Sequence, residues 1–440
     1  LRIAPDIKVM ATSRVRLNVM GEHVLPVSGM ACPDDLENVA GYSAVQLFLN
    51  SARRARLGFE PTADDWAAIA RVCQLVEGMP LGILLAASWA GMLAPAEIVE
   101  EMARCIDFLA TDREGIPERQ QSIRAVLDHS WNLLTEREQA AFQALSVFQG
   151  GFSREAAEQV AGISLRELMA LMDKSLLQRT SRGLYELHDL VRRYAAEKLA
   201  ASRFDEDDVR HRHCAYYAGA LEQWVAGLKG PYRKPSGSSI EDEIENARAA
   251  WIWAAELNHI EYLNQALEGT SRLYDLQMRY EEGEHLLQRA LDRLSADCHW
   301  TRARILIRQG RFCRLLGRTG QASERLQQGL DLLRHPDLVG VDRRTEEAFA
   351  LQQLGWIEID SRSDLEEARR LFQQSLNLYQ AAKDPFETGH ALHRLGLAAW
   401  YLNHQDEAQR LWAESLAILR SVGAQASVSR LMRDMSMIPR

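Results

Sequence analysis

The stretch LGLAAWYLNHQDEAQRLWAESL, residues 395–416, decides the fold. It contains two runs rich in apolar residues with a polar segment between them, and its small and large residues recur at helical spacing. Ala408, Trp412 and Ser415 follow one another at steps of four and three residues, which places them on one face of an α-helix. Small residues on such a face allow a neighbouring helix to approach closely. The stretch therefore predicts a pair of packed helices.

The same pattern occurs four times between residues 283 and 416, at intervals of 39, 46 and 40 residues. Each copy has a small residue, a large apolar residue four positions later, a second small residue three positions after that, and then leucine. The four copies are Gly283, Leu287, Ala290 and Leu291; Ala322, Leu326, Gly329 and Leu330; Ala368, Phe372, Ser375 and Leu376; and Ala408, Trp412, Ser415 and Leu416. A glycine stands 12 or 13 residues before the last three copies, at Gly310, Gly355 and Gly396. The spacing predicts an α-solenoid of helix pairs over residues 266–440.

The repeats resemble tetratricopeptide repeats, most closely where Leu395 and Gly396 precede Ala408, Trp412 and Ser415. Stacked helix pairs form a curved groove, and such grooves usually bind a peptide or another domain. The resemblance therefore implies a protein or peptide partner in the repeat groove, whose contact residues are unknown at this stage. The alternative is a scaffold with no ligand of its own.

Composition limits the possible functions. A chain of 440 residues should contain several domains, and 47% hydrophobic with 26% charged residues is typical of folded globular proteins. The net charge of −9 argues against a chain built to coat nucleic acid. No run approaches about 18 apolar residues, so we expect no membrane partner. The six cysteines include no C-x-x-C pair, which predicts a cytoplasmic protein without a metal site.

The first 30 residues have a different pattern. Residues 7–11, Ile-Lys-Val-Met-Ala, form an apolar run typical of a buried strand in a parallel sheet, whose carboxyl end is where ligands bind in open α/β folds. Residues 23–27 are a candidate for one more strand. No further alternation of strand and helix follows, so the rest of such a sheet would precede Leu1. An ordinary edge strand is the alternative.

The remaining segments are predicted to be helical, with one hairpin. Residues 31–115 form a helical domain interrupted at 78–81, where Pro80 can occupy the first turn of a helix because its missing N–H would be unsatisfied there anyway. Residues 116–203 combine helices, a capping box that begins at Thr135 and a hairpin around Arg182 and Gly183, which predicts a winged helix. A helical connector over 204–265 leads to the repeats. The predicted fold class is mainly α.

Several further motifs resemble the signal-transduction ATPases with numerous domains, in the bacterial branch joined to transcriptional regulators. They occur in the family's order and spacing over roughly the first 200 residues. The motifs are Ala11-Thr12-Ser13-Arg14 with Gly21-Glu22, Ala44-Val45-Gln46-Leu47-Phe48-Leu49, Glu77-Gly78-Met79-Pro80-Leu81, Ser130-Trp131-Asn132-Leu133-Leu134, Ser146-Val147-Phe148-Gln149-Gly150-Gly151-Phe152, Asp173-Lys174-Ser175-Leu176-Leu177 and Leu187-His188-Asp189. Asn246, Arg248, Ala249, Ala250 and Trp251 also resemble the family's entry into its repeats.

The resemblance implies a switch in which bound ADP locks an NTPase core, a helical lid and a winged helix together, and exchange for ATP releases them and permits homo-oligomerisation. It makes residues 1–30 the C-terminal remnant of the α/β core and 31–115 the lid. Arg14 would sense the terminal phosphate, Pro80 would pack beside the adenine, and His188 would hydrogen-bond the β-phosphate of ADP. Taken singly, these residues are more often a surface charge, a helix junction and a helix cap.

The chain departs from the family's pattern in one respect. It has neither a G-x-x-x-x-G-K-[ST] phosphate loop nor an apolar strand ending in paired acids that could hold Mg²⁺. These parts, and the ADP or ATP with magnesium that they bind, would belong to a longer parent protein whose NTPase core precedes Leu1. We therefore expect this chain neither to bind nucleotide tightly alone nor to act as an enzyme. Whether it is a fragment or a true short protein stays open.

Two other functions remain possible. A nucleotide-independent helical-repeat adaptor would have an initiation codon at or near Leu1 and no phosphate loop upstream. A DNA-binding winged helix would use residues 165–173 to read DNA, but that segment has Glu167 and Asp173 beside Arg166, without the basic run that phosphate contacts require. DNA binding by this segment is therefore not expected.

Overall fold

The computed structural model describes residues 10, 22, 23, 25, 27, 29–33, 38–110, 122–202, 206–229 and 240–436. The predicted strand at 7–11, except Met10, and the predicted sensor Arg14 lie outside these residues. The described residues between 22 and 33 have no regular secondary structure. The chain divides into two compact units, Leu1–Val209 and Arg210–Arg440. The finer domain boundaries stay predictions.

The first unit begins with four helices, which share a buried face containing Phe48, Ile69, Ile83 and Ile98. These helices are α1 (Ser43–Ala55), α2 (Asp65–Leu75), α3 (Pro80–Ser88) and α4 (Pro95–Arg104). Proline occupies the first position of α3 and of α4, where a helix has no use for its N–H. The predicted helix start at Pro80 is therefore confirmed.

Five helices and a hairpin follow in the predicted order. They are α5 (Ile123–Asn132), α6 (Glu136–Leu145), α7 (Arg154–Ala161), α8 (Leu165–Asp173), β1 (Gln178–Arg179), β2 (Tyr185–Glu186) and α9 (Asp189–Ala200). Strands β1 and β2 pair antiparallel, with Arg179 opposite Tyr185. Thr135 and Glu138 form the predicted capping box at the start of α6, since each side chain accepts a hydrogen bond from the other residue's backbone N–H. The helices and hairpin are confirmed, whereas the winged-helix assignment stays a prediction.

Helix α10 (Glu206–Lys229) leads to an array of helices that makes up most of the second unit. The array consists of α11 (Ile244–Glu256), α12 (Ile260–Leu276), α13 (Tyr280–Arg293), α14 (His299–Leu315), α15 (Thr319–Leu333), α16 (Arg344–Ser361), α17 (Leu365–Ala381), α18 (Pro385–Tyr401), α19 (Gln405–Ser421) and α20 (Gln425–Ser436). The fold is therefore mainly α, with an α-solenoid of tetratricopeptide-like helix pairs. Among the described residues, no helix is both long and apolar enough to cross a membrane.

The repeat pattern corresponds to direct helix-to-helix packing. A Cβ atom built on the glycine of each first helix would lie too close to the large apolar residue of the second helix in the same pair. The distances are 2.6 Å from Gly310 to Leu326 Cγ, 2.7 Å from Gly355 to Phe372 Cε1 and 2.5 Å from Gly396 to Trp412 Cδ1. The second small residue serves the same contact, because Ser375 Oγ and Ser415 Oγ donate to backbone carbonyls of the preceding helices at 2.8 and 2.6 Å. The predicted close approach of the helices is confirmed.

Candidate functional site

The junction between α2 and α3 is a tight turn in left-handed backbone conformation. Glu77 has φ 44° and Gly78 has φ 69°, and the Gly78 N–H donates to Cys73 O at 3.0 Å, which closes the end of α2. Glycine is required at 78, because an added Cβ would lie 2.0 Å from Met30 O. Pro80 then begins α3 and is exposed to solvent. The turn therefore presents the Glu77 carboxylate and the Pro80 ring at the surface.

His188 lies against this junction from a distant part of the chain. It caps the N-terminus of α9, where its Nδ1 accepts a hydrogen bond from the Leu190 N–H at 3.2 Å. Because Nδ1 is an acceptor, Nε2 carries the proton of the neutral ring and donates to Val76 O at 3.3 Å. The same Nε2 is 3.6 Å from Glu77 Oε2, and the Asp189 N–H donates to Glu77 Oε1 at 3.3 Å.

Two of the three residues assigned to nucleotide by resemblance thus belong to neighbouring segments. Pro80 is three positions after Glu77, which His188 approaches directly. The third residue, Arg14, lies outside the described residues, so its position relative to the others stays a prediction. The capping role that was the alternative for the His-Asp pair is also present, but His188 provides the cap.

A second contact joins α9 to the first four helices. Arg193 donates from Nη1 to Met102 O at 2.6 Å and from Nη2 to Ala103 O at 3.0 Å. These carbonyls belong to the last turn of α4, where carbonyl groups lack partners within the helix and a positive charge is favourable. The sequence analysis missed Arg193 and Glu77, because neither their residue types nor their spacing marks them as contacts.

The charges around His188 are mostly negative. Burial raises the pKa of Glu186 above its ordinary value, the nearby charge of Glu77 raises that pKa further, and His188 opposes the shift. Two carboxyl groups therefore surround one imidazole. A phosphate could accept the Nε2 proton of His188 only if the Glu77 carboxylate moved aside, since two anions at one donor repel each other.

The repeat array carries a second polar feature along its first helices. Arg308 of α14 is buried and pairs with Glu346 of α16 at 2.8 Å and with Glu268 of α12 at 2.9 Å. Arg272 of α12 reaches Glu387 of α18 at 3.4 Å, although α14 and α16 come between these helices in the chain. This contact requires the first helices of successive pairs to curve around a common centre. They therefore form a groove whose wall is charged.

The metal-ligand types in the array do not converge well on one point. Ligand atoms of His299, His335 and Asp337 lie within 4.8 Å of one another, a grouping that the sequence analysis did not find because the histidines are far apart in the chain. The two imidazole rings are stacked, with centroids 3.6 Å apart and planes 15° apart. Nitrogen lone pairs lie in the ring plane, so stacked rings do not aim at one cation. A different contact occupies His211, whose Nδ1 is 3.3 Å from His259 Nε2.

Comparison with known proteins finds similarity to bacterial regulators. The chain is 35% identical over 283 residues to a Mycobacterium tuberculosis protein named "Putative HTH-type transcriptional regulator", covering 62% of this chain and 30% of that protein. It is 24% identical over 450 residues to "Regulatory protein AfsR" of Streptomyces griseus, covering 99% of this chain and 41% of that protein. The chain therefore corresponds to less than half the length of either relative.

A solved structure of a signal transduction ATPase with numerous domains (STAND) and a tetratricopeptide repeat sensor, from Pyrococcus horikoshii, aligns with 90% of this chain and 62% of its own. Its TM-score is 0.32, with 14% sequence identity. No protein-family model matches the chain. The chain is thus similar in sequence to bacterial proteins named for regulation.

Proposed function

We propose that this chain is the regulatory part of a nucleotide-switched transcriptional regulator, in which ADP holds a helical lid and a winged helix together. The contact of His188 with the α2–α3 junction supports this proposal, because it joins two segments assigned independently to one nucleotide. The similarity to named transcriptional regulators supports the regulatory role. DNA contact would come from a part of the parent protein outside this chain.

His188 and Pro80 would hold the nucleotide in different ways. The Nε2–H of His188, which now donates to Val76 O, would donate to a phosphate oxygen after Glu77 turns away. Pro80 is exposed and has no N–H, so it would offer an apolar wall to a base. Magnesium and the remaining phosphate contacts would come from the NTPase core of the parent protein.

The coding sequence that precedes Leu1 provides the first test. A phosphate-loop motif about one core-domain length upstream is the expected result. An initiation codon at or near Leu1, with no such motif upstream, would refute the switch and leave the helical-repeat adaptor. One observation favours that adaptor, because His188 already has a protein acceptor without any nucleotide.

The second test measures ADP release from the parent protein, with two substitutions at His188. His188→Asn keeps a good helix cap but removes the Nε2 donor, whereas His188→Ala removes both. A hydrogen bond to a charged phosphate is worth about 1.5–3 kcal/mol, so both variants should release ADP about 10- to 100-fold faster. If the asparagine variant releases ADP at the wild-type rate, His188 does not contact the phosphate.

The repeat array would sense the inducing partner, a protein or peptide bound in the groove. Its pairs of helices are the observation that supports this role, since stacked pairs present a continuous curved surface. Nucleotide exchange would then permit self-association of the parent protein. Light scattering of that protein with ADP and with a non-hydrolysable ATP analogue tests this step. An unchanged molar mass would contradict it.

A further inference from the structure

The groove of the repeat array has one more arginine than carboxylate in its network of charges. Five arginine contacts along the first helices have partners within 3.4 Å, which are acids on neighbouring helices of the same row. The pairs are Arg272 with Glu268 and Glu387, Arg304 with Glu346, Arg308 with Glu346 and Glu268, Arg311 with Asp275, and Arg314 with Asp360. The sixth arginine, Arg394 of α18, has no ion pair among the described residues. Six cations therefore face five anions.

Arg394 is an unsatisfied donor inside this network. Its Nη1 atom is buried and has no hydrogen-bond acceptor among the described residues. Burial lowers the pKa of Arg394 to about 10, and the charges of Arg311 and Arg272 lower it further, against the opposing effect of Glu387 and Tyr379. The guanidinium remains protonated at neutral pH, so the groove contains an uncompensated positive charge.

A second buried donor on the neighbouring helix also lacks an acceptor. Gln353 of α16 is fully buried, and its Nε2 has no partner among the described residues, while its Oε1 accepts from Arg314 Nε at 3.3 Å. Gln353 is seven residues after Glu346, so both lie on one face of α16. Buried donors without acceptors are costly, and a ligand that contains only acceptors would remove that cost.

We propose that the groove of the repeat array binds a carboxylate of an acidic peptide, which pairs with Arg394. The proposal rests on the partner-binding role proposed above and names the chemistry of the partner. A carboxylate fits better than a phosphate for two reasons. Its single negative charge matches the single excess cation, whereas a phosphate monoester would add nearly two. Its planar pair of oxygens also matches the donor fork of a guanidinium.

The test measures binding of a fluorescent tetra-aspartate peptide to the full chain by anisotropy. Tetra-lysine is the charge control, and inorganic phosphate is the competitor. The variants are Arg394→Met and the matched Arg410→Met, which removes an exposed arginine of α19. We expect the acidic peptide to bind the wild type and R410M alike, and R394M about 10- to 100-fold more weakly. No binding of the peptide to the wild type, or equal binding to R394M, would overturn the proposal.

The phosphate arm identifies the kind of anion. Displacement of the peptide only at general ionic strength is expected, whereas saturable binding of phosphate without binding of the peptide would refute the carboxylate assignment. Equal binding of tetra-lysine would show that charge at Arg394 does not select the ligand.

Thermal unfolding of the ligand-free chain provides an independent measurement. Removal of a buried charge that has no partner should stabilise the protein, so R394M should have a higher Tm than R410M. A lower Tm would show that Arg394 has an internal partner and would overturn the proposal. These readouts concern only the repeat array, so their failure would leave the ADP-release result at His188 standing, and the reverse also holds.

Discussion

Addition of one methyl group at Gly396 tests whether the repeats pack as described. The added Cβ would lie 2.5 Å from Trp412 Cδ1 and Nε1, and Trp412 is held by its Nε1–H bond to His393 O at 2.9 Å. Trp412 therefore cannot rotate away without losing that bond. Overpacking of this kind costs about 1–3 kcal/mol, while alanine gains up to about 1 kcal/mol over glycine in a helix. We expect Gly396→Ala to lower the free energy of unfolding by up to about 2 kcal/mol.

Gly219 of α10 is the matched control for this substitution. It also lies inside a helix of the second unit, but a Cβ built there meets no atom within 4 Å. Gly219→Ala should therefore gain only the helix-propensity term, about 0.5–1 kcal/mol. Urea unfolding followed by circular dichroism measures both variants. If G396A were as stable as G219A, the close approach between α18 and α19 would be wrong.

Three further substitutions test the first unit and the pH response. In the isolated chain, His188→Ala should lower stability by about 0.5–2 kcal/mol through loss of the cap, and His188→Asn should restore most of it in urea unfolding. Arg193→Met should lower the stability of the first unit by about 1–3 kcal/mol and expose α4 to limited proteolysis; unchanged cleavage would contradict the contact with Met102 O. Burial lowers the pKa of His213 to about 3, and the bond to Asn246 opposes this shift. Because the folded-state pKa is below the unfolded value of about 6.5, stability is complete above pH 6.5 and falls progressively as the pH decreases toward 3. His213→Gln should make urea midpoints between pH 7 and pH 5 less dependent on pH.

Local chemistry made much of the fold predictable from the sequence. Pro80, the Thr135 capping box and the glycine of each repeat act within one helix or between neighbours in the chain, where spacing alone specifies the geometry. The hairpin around Gly183 was predictable for the same reason, since that glycine has φ 83° and closes a short turn. These features required no knowledge of distant contacts.

Contacts between distant segments were not predictable in this way. His188 and Glu77 are separated by more than 100 residues, and nothing in their spacing indicates that Nε2 of one approaches the carboxylate of the other. The resemblance assigned His188 to a phosphate but did not anticipate that a backbone carbonyl already accepts its proton. The unmatched charge of Arg394 also emerges only when the partners of five other arginines are known.

The existing bond of His188 limits how strongly that residue could drive the proposed switch. A ligand shifts an equilibrium only by its difference in affinity for the two states. The bond from Nε2 to Val76 O is a neutral one, worth about 1 kcal/mol, and a bond to phosphate is worth about 1.5–3 kcal/mol. The exchange therefore gains only about 0.5–2 kcal/mol, before the cost of moving Glu77 aside. His188 alone would bias the closed state by about 2- to 30-fold, so most of the coupling must come from other contacts. Glu77→Gln removes the opposing charge and should tighten ADP binding in the parent protein; weaker binding would mean that Glu77 supports the nucleotide site.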